Sequence, residues 1–212
     1  MSGVDSIYIL ALLWILWCSL HSFVISGFFI KIMKNLSGTG FCYYRIIYNA
    51  FSLITLLLVV IYQLHIPGKI LFAWNGLWII PRIGLFLISF ILFLGGYRAY
   101  DMGYVIGIKQ VKELHDGSAC KPMDFNTSGI LQYVRHPWYS SAIILVWAFG
   151  PISDVTLITK IILTVYIIIG TFLEEKKLIR AIGTPYLEYR QKVPMLIPWK
   201  SVNPLQWKNL LK

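Results

Sequence analysis

Tyr133-Val134-Arg135-His136-Pro137-Trp138-Tyr139 places a charged pair and a proline directly ahead of an apolar run. Proline is tolerated at the first helical position, where its missing N–H would have no intrahelical acceptor, so a helix is read to begin at Pro137. Residues 138–149 are apolar, Gly150-Pro151-Ile152-Ser153-Asp154 interrupts them, and residues 157–173 are apolar again. Two such runs about a Gly-Pro turn read as a helical hairpin. At membrane depth an ionisable side chain costs about 2.5–3.5 kcal/mol on insertion scales, so Arg135 and His136 should face a ligand, a partner charge or a water-filled cavity. A partner charge stands where the second run ends, in Phe172-Leu173-Glu174-Glu175-Lys176-Lys177.

Composition places the hairpin in a membrane protein. The 212 residues are 58% hydrophobic and 13% charged, with a mean hydropathy of +0.70, whereas soluble chains are about 45–50% apolar and about 25% charged. A hydrocarbon core of about 30 Å needs about 20 helical residues, and residues 6–30, 44–64 and 77–97 each suffice. With the hairpin this gives five crossings, although its first arm is short unless the helix starts at Pro137. The expected fold is all-α: a polytopic transmembrane helical bundle of about five spans, closed by short cytoplasmic C-terminal helices. No repeat, low-complexity stretch or linker divides it, so residues 1–212 read as one membrane domain. It comprises three spans in 1–98, a cytoplasmic connector in 99–134, the hairpin and its C-terminal motif in 135–198, and a tail in 199–212.

Orientation follows from lysine and arginine in the short loops. Lys31, Lys34 and Arg45 flank the first connection, Lys109, Lys112 and Lys121 lie in the third, and eight basic residues from Lys176 to Lys212 follow the last span; the second and fourth connections carry Lys69, Arg82 and Lys160. The N-terminus is therefore expected outside and the C-terminus, with both charged clusters, in the cytoplasm. The net charge of +10 then lies against an anionic leaflet. Nucleic acid is set aside, because the chain has no Gly-rich phosphate loop, zinc-spaced Cys/His set or aromatic RNA-binding motif. Cys18, Cys42 and Cys120 are odd in number and far apart, which supports neither a disulfide framework nor a metal site. His21, His65 and His115 lack helical partners of ligand type, and a buried hydrogen bond accounts for His21 inside the first span. The first 30 residues lack a basic start and a small-residue cleavage signature, so the first helix is expected to be retained.

Two polar segments remain. Residues 101–127 carry a weak helical stripe at Val105, Ile106, Ile108 and Val111, suited to a membrane-surface helix or to a plain connector. Residues 174–193 space Leu178, Ile182, Tyr186 and Tyr189 about a turn apart, and Gly183-Thr184-Pro185 interrupts them, which predicts two short helices. Taken singly, these features have ordinary readings. Glu174-Glu175-Lys176-Lys177 suits a solvated helix end, Arg135 a topology charge or phosphate contact, and Trp138 with Tyr139 an interfacial aromatic belt.

Taken in order, residues 129–198 resemble the integral membrane methyltransferases that include isoprenylcysteine carboxyl methyltransferase, phosphatidylethanolamine N-methyltransferase and methanethiol S-methyltransferase. In that family an Arg-His-Pro-x-Tyr-x-Gly motif opens a helical hairpin that leads to a Glu-Glu pair, a Phe-Gly-x-x-Tyr-like turn and a closing Val-Pro. The counterparts here are Arg135-His136-Pro137-Trp138-Tyr139-Ser140-Ser141, Glu174-Glu175, Ile182-Gly183-Thr184-Pro185-Tyr186 and Val193-Pro194. The likeness is nearest to methanethiol S-methyltransferases, through Tyr189-Arg190, Val193-Pro194-Met195-Leu196-Ile197-Pro198 and Gly107-Ile108-Lys109-Gln110-Val111. Ser141 replaces the family's glycine, which keeps a small residue and suggests a slightly altered pocket.

The resemblance implies S-adenosylmethionine as cofactor and residues 135–198 as its binding region. Its carboxylate suits Arg135, His136 and the unpaired N–H groups at the start of the Pro137 helix; its ammonium suits Glu174 or Glu175, and the family pattern implies both as cofactor contacts. Tyr133, Tyr139 and Trp138 would line the adenosine or face the sulfonium, since aromatic faces attract cations. Methyl transfer asks mainly for orientation of a nucleophile. No side chain stands out as a dedicated base; Arg190 and Arg180 are the candidates for drawing an anionic acceptor into place, with lipid phosphate contact as their other reading. The acceptor implied is a small hydrophobic thiol, with an isoprenylcysteine carboxylate or a phospholipid amine as alternatives. Entry from the bilayer and contact with membrane lipid follow from the hydrophobic character of all three. Some denitrification-associated membrane proteins share a related Arg-His-Pro pattern, so a non-catalytic assembly or transport component is the rival reading. Gly38-Thr39-Gly40 and Gly95-Gly96 permit close helix approach, serving internal packing or dimer contacts alike, and leave the oligomeric state open.

Overall fold

Backbone in lipid must satisfy its own hydrogen bonds, which favours helices wherever the chain is apolar. The computed structural model describes residues 3–116, 125 and 127–199; Cys120, Lys121 and the basic residues from Lys200 to Lys212 lie outside the described residues. In chain order the elements are α1 (Gly3–Val24), α2 (Gly27–Ser37), α3 (Tyr44–Leu64), β1 (Ile70–Phe72), α4 (Ile79–Ala99), α5 (Met102–Ile106), α6 (Ile108–His115), α7 (Pro137–Ala148), β2 (Ile152–Ser153), α8 (Asp154–Ile182) and α9 (Thr184–Lys192). This is an all-α polytopic bundle, in which four described stretches are long and apolar enough to cross a membrane: Asp5–Val24, Gly27–Leu64, Gly76–Ala99 and Asp154–Ile182.

Three boundaries differ from the sequence reading, each for a local reason. The first span stops at Val24 instead of residue 30, because Ser26 is extended and its Oγ accepts the Phe29 N–H at 3.2 Å, capping α2. Helix α7 does start at Pro137, yet its 12 residues rise only about 18 Å against a core of about 30 Å, so the fifth crossing is a half-length helix. The segment 174–193 is not two separate short helices: α8 runs unbroken from Asp154 through Glu174 and Glu175 to Ile182, and only α9 is separate. Gly183, at φ +77°, makes that break.

The chain divides into two compact units. The first draws on residues 1–73, 101–122 and 151–166. Its core joins Leu10 and Trp14 of α1, Val59 of α3 and Val155 of α8. Polar side chains pin these helices together: Trp14 Nε1 and Thr159 Oγ1 both donate to Gln63 Oε1, at 3.1 and 2.9 Å. His21 Nε2 lies 2.7 Å from Tyr48 Oη, the buried hydrogen bond expected of it. Strands β1 and β2, absent from the all-α reading, pair antiparallel across the loops; Lys69 N–H donates to Asp154 Oδ1 at 2.9 Å beside them. Runs of three and two residues carry no readable period. The segment after residue 101 forms α5 and α6, divided at Gly107 with φ +105°. Arg45 Nη1 donates to Tyr104 O at 2.7 Å and Asn49 Nδ2 to Ile106 O at 3.2 Å, tying α5 to α3.

The second unit draws on residues 74–100, 123–150 and 167–212. Its centre is the crossing of α4 and α7, where small residues let the backbones approach. A Cβ on Gly96 would meet the Trp138 ring at 2.5 Å, and one on Gly95 would meet Ile130 at 2.7 Å. Trp138 Nε1 donates to Phe93 O at 3.0 Å, so this indole is a packing element against α4. Ser141 Oγ donates to Ser89 O at 2.8 Å, Ser89 Oγ donates to Ser141 O at 3.1 Å, and the two hydroxyls are 2.9 Å apart. The residue in place of the family's glycine thus serves the helix crossing.

Candidate functional site

A residue before proline is driven out of the helical region, so Arg135 and His136 lie outside α7, after a turn at Tyr133, with their own N–H groups free of helical partners. The segment after α9 supplies acceptors: Arg135 N–H donates to Pro194 O at 3.0 Å and His136 N–H to Met195 O at 3.2 Å. Ser140 Oγ adds a bond to Leu196 O at 2.7 Å. The closing Val-Pro segment is therefore a strap laid over the Arg-His-Pro turn.

Beneath the strap, Arg135 is the hub. Its Nε donates to Glu175 Oε1 at 2.7 Å, its Nη2 pairs with the same oxygen, and its Nη1 donates to the carbonyls of Arg190, at 3.0 Å, and Val193. Glu175, only 2% exposed, also lies 3.4 Å from His136 Nε2 and 3.1 Å from Arg190 Nε. Tyr186 Oη donates to Glu175 Oε1 at 3.4 Å. Two cations, a histidine and a tyrosine thus converge from α7's approach and from α9 on one carboxylate of α8. Burial pushes the Tyr186 phenol up to about 12, with the neighbouring Glu175 charge adding to the effect.

Glu174, one residue earlier on α8, has a different environment. It is half-buried and accepts a hydrogen bond from the Tyr139 hydroxyl. The Tyr139 ring stacks on His136, centroids 5.5 Å apart and planes 16° apart. Buried Tyr133 precedes the turn. The structure gathers Arg135, His136, Pro137, Tyr139, Glu174, Glu175 and Arg190 in one cluster, with Tyr133 on the same turn. Arg180 is not joined to it: its side chain is exposed on α8, five residues beyond Glu175.

Some contributors escaped the sequence reading of the site. Tyr186 and Tyr189 read as an apolar stripe, yet Tyr186 reaches Glu175 and Tyr189 Oη donates to Leu131 O at 2.5 Å. Phe125 lies 5.9 and 5.6 Å from their rings. Burial raises both phenols, Tyr189 as well as Tyr186. Tyr100, at the end of α4, donates to Arg135 O at 3.4 Å. The available signal was that Tyr186 closes the Ile182–Tyr186 motif and Tyr189 opens Tyr189-Arg190.

Donor chemistry sets what the cluster can hold. Arg135 and Glu175 neutralise one another, leaving Glu174 as the accessible carboxylate and Arg190, with a side chain 46% exposed, as the accessible cation. His136 Nε2 and Glu175 Oε2 are buried without a well-aligned hydrogen bond among the described residues. A zwitterion with a separated ammonium and carboxylate fits this set.

Known proteins bear on the same residues. The chain is 31% identical over 158 residues to methanethiol S-methyltransferase of Crocosphaera subtropica, covering 73% of this chain and 61% of that protein. It is 32% identical to methanethiol S-methyltransferase 1 of Bradyrhizobium diazoefficiens, over 57% of this chain and 44% of that one. It is 34% identical to methanethiol S-methyltransferase of Pseudomonas deceptionensis, over 62% and 45%. The chain thus spans between 44% and 61% of the length of these relatives, and they bear out the resemblance drawn from residues 129–198. No solved structure matches it. Residues 9–181, which include the Arg-His-Pro turn and the Glu174-Glu175 pair, match the family described as NnrU protein, and the chain belongs to that family.

Proposed function

We propose that this chain is an S-adenosylmethionine-dependent membrane methyltransferase acting on a small hydrophobic thiol. The observation that carries this reading is the set of relatives named methanethiol S-methyltransferase, at 31–34% identity. The cofactor, when bound, supplies an electrophilic methyl group on a sulfonium. In this reading Glu174, oriented by Tyr139, would hold the ammonium, and Arg190 with the first turn of α7 would hold the carboxylate. This departs from an assignment to both glutamates and Arg135, because Glu175 and Arg135 are committed to each other. They act instead as positioning residues that lock α8, α9 and the strap around the turn. His136, stacked on Tyr139, holds that ring. A small alkanethiol lacks the amide groups that bring cysteine to about 8.5, so its thiolate is a minor form at neutral pH, and its proton would leave to water on methylation because no side chain of the cluster stands out as a base. Arg190, given to the cofactor's carboxylate in this reading and 3.1 Å from Glu175, is not left over to draw in the acceptor, and exposed Arg180 is assigned to the lipid interface. Lysine and arginine in the loops support an outside N-terminus and a cytoplasmic C-terminus, leaving the cofactor to arrive from the cytoplasm and a hydrophobic acceptor from the bilayer.

The test is transfer of isotope from labelled S-adenosylmethionine, by the detergent-purified chain, to methanethiol, to a prenylcysteine carboxylate and to a phospholipid amine. Label in the methylated thiol alone is expected. Label in either other acceptor, and none in the thiol, would overturn the acceptor assignment; label in no acceptor would favour a non-catalytic role.

A further inference from the structure

Away from the charged cluster, α4 and α7 bound an apolar groove of about 580 Å³, walled by Ile83, Phe86, Leu87, Phe90 and Phe93 with Leu145 opposite. Its polar floor is the Ser89–Ser141 pair, whose hydroxyls and carbonyls satisfy each other, so the surface offered is hydrocarbon. At one end sits Arg82, inside the candidate span Gly76–Ala99. Its Nε donates to Ala148 O at 3.1 Å, and its guanidinium lies 5.5 Å from the Phe86 ring centroid. Among the described residues no carboxylate lies within ion-pair distance of it. A guanidinium near the start of an apolar span can reach the headgroup layer, and its planar fork suits a phosphate there.

Length identifies the occupant. From Arg82 to Phe93 the helix rises about 16 Å at about 1.5 Å per residue, which is close to one leaflet, half of a core of about 30 Å. We propose that the groove seats one acyl chain of an anionic phospholipid whose phosphate is held by Arg82. A polar ligand would leave groups unpaired against these walls. A lipid chain has none below its head.

The test is titration of the detergent-purified full chain with phosphatidylglycerol and, separately, phosphatidylcholine, read by native mass spectrometry. One phosphatidylglycerol should bind per chain about ten-fold more tightly than phosphatidylcholine, the size of one charge-assisted contact. Arg82→Gln should remove that preference and Arg82→Lys should retain part of it. Leu145→Trp, which fills the groove without touching the cation, should weaken both lipids. Equal binding of the two lipids by the parent chain would overturn the proposal, as would an unchanged preference in Arg82→Gln. A dimer without lipid would assign the groove to a second copy and overturn it too.

Discussion

Glu175→Ala should damage folding far more than Glu174→Ala, although the two residues are neighbours on one helix. Removing Glu175 takes the carboxylate from the Arg135 guanidinium, whose side chain is 6% exposed, and leaves it on neutral partners such as the carbonyls of Arg190 and Val193. Tyr186 loses its acceptor at the same time. Breaking a buried pair from one side costs about 3–5 kcal/mol, because the surviving charge stays desolvated. Glu174 is half-buried, and its recorded loss is the bond from Tyr139, about 0.5–1.5 kcal/mol. For a chain of this size about 1 kcal/mol moves the midpoint by about 2–4 °C, so Glu175→Ala should melt roughly 6–20 °C lower. Thermal unfolding of detergent-purified variants, followed by circular dichroism, makes the comparison. The double variant Arg135→Met with Glu175→Leu removes both charges and should recover part of the loss. A Glu175→Ala protein melting within about 2 °C of the parent, or below which Glu174→Ala melts, would refute the assignment of Glu175 as the buried keystone.

Ser141→Leu forces bulk into the crossing where Ser89 and Ser141 are each 4% exposed; a loss of about 1–3 kcal/mol is expected from overpacking, read as a lower unfolding midpoint. Arg190→Ala keeps the carbonyl that Arg135 uses but removes the contact with buried Glu175 Oε2, so stability should fall by about 1–3 kcal/mol, less than in Glu175→Ala, while methyl-transfer kcat/KM falls. The hydrogen bond from Lys109 holds the Asp101 carboxyl below its ordinary range, and Asp101 Oδ1 caps the Gly103 N–H at 3.0 Å. Because the folded value is depressed, this contribution is complete above the ordinary carboxylate pKa of about 3.9 and is lost as pH falls through the folded value. The protection factor of the Gly103 amide, its exchange rate relative to the intrinsic rate at the same pH, should fall on acidification, and Lys109→Ala should shift that onset to higher pH.

The legible parts of this fold were those carried by period and chemistry over many residues. The spans of α3 and α4 lie close to their apolar runs, since lipid leaves an apolar chain little choice but helix. Ser26 ended α1 early through one hydroxyl, a signal a hydropathy window averages away. The end of α8 was misjudged because charged Glu174 to Arg180 read as a change of element, whereas the bonds from Arg135 and Tyr139 let those carboxylates continue a helix. Nearly all of the charged cluster could be named beforehand, because ionisable residues beside apolar runs are rare and need partners. Which glutamate is committed and which is accessible could not, since that depends on side-chain direction across residues 135, 139 and 190. The strap was visible as Val193-Pro194, but its bonds to residues 135 and 136 are backbone bonds and carry no side-chain signature. Trp138 looked like a cofactor-facing ring, and the Gly95-Gly96 gap that receives it had been noted for a different purpose.

The account turns on an accessible Glu174 carboxylate taking the cofactor's ammonium while Glu175 holds the fold. Calorimetric titration of S-adenosylmethionine into the detergent-purified chain, with Glu174→Gln run alongside, tests this most directly. The account predicts saturable binding at one site in the parent and its loss in a Glu174→Gln protein that unfolds like the parent. Binding unchanged by Glu174→Gln would contradict the site, and no binding to folded parent protein would contradict the methyltransferase reading itself.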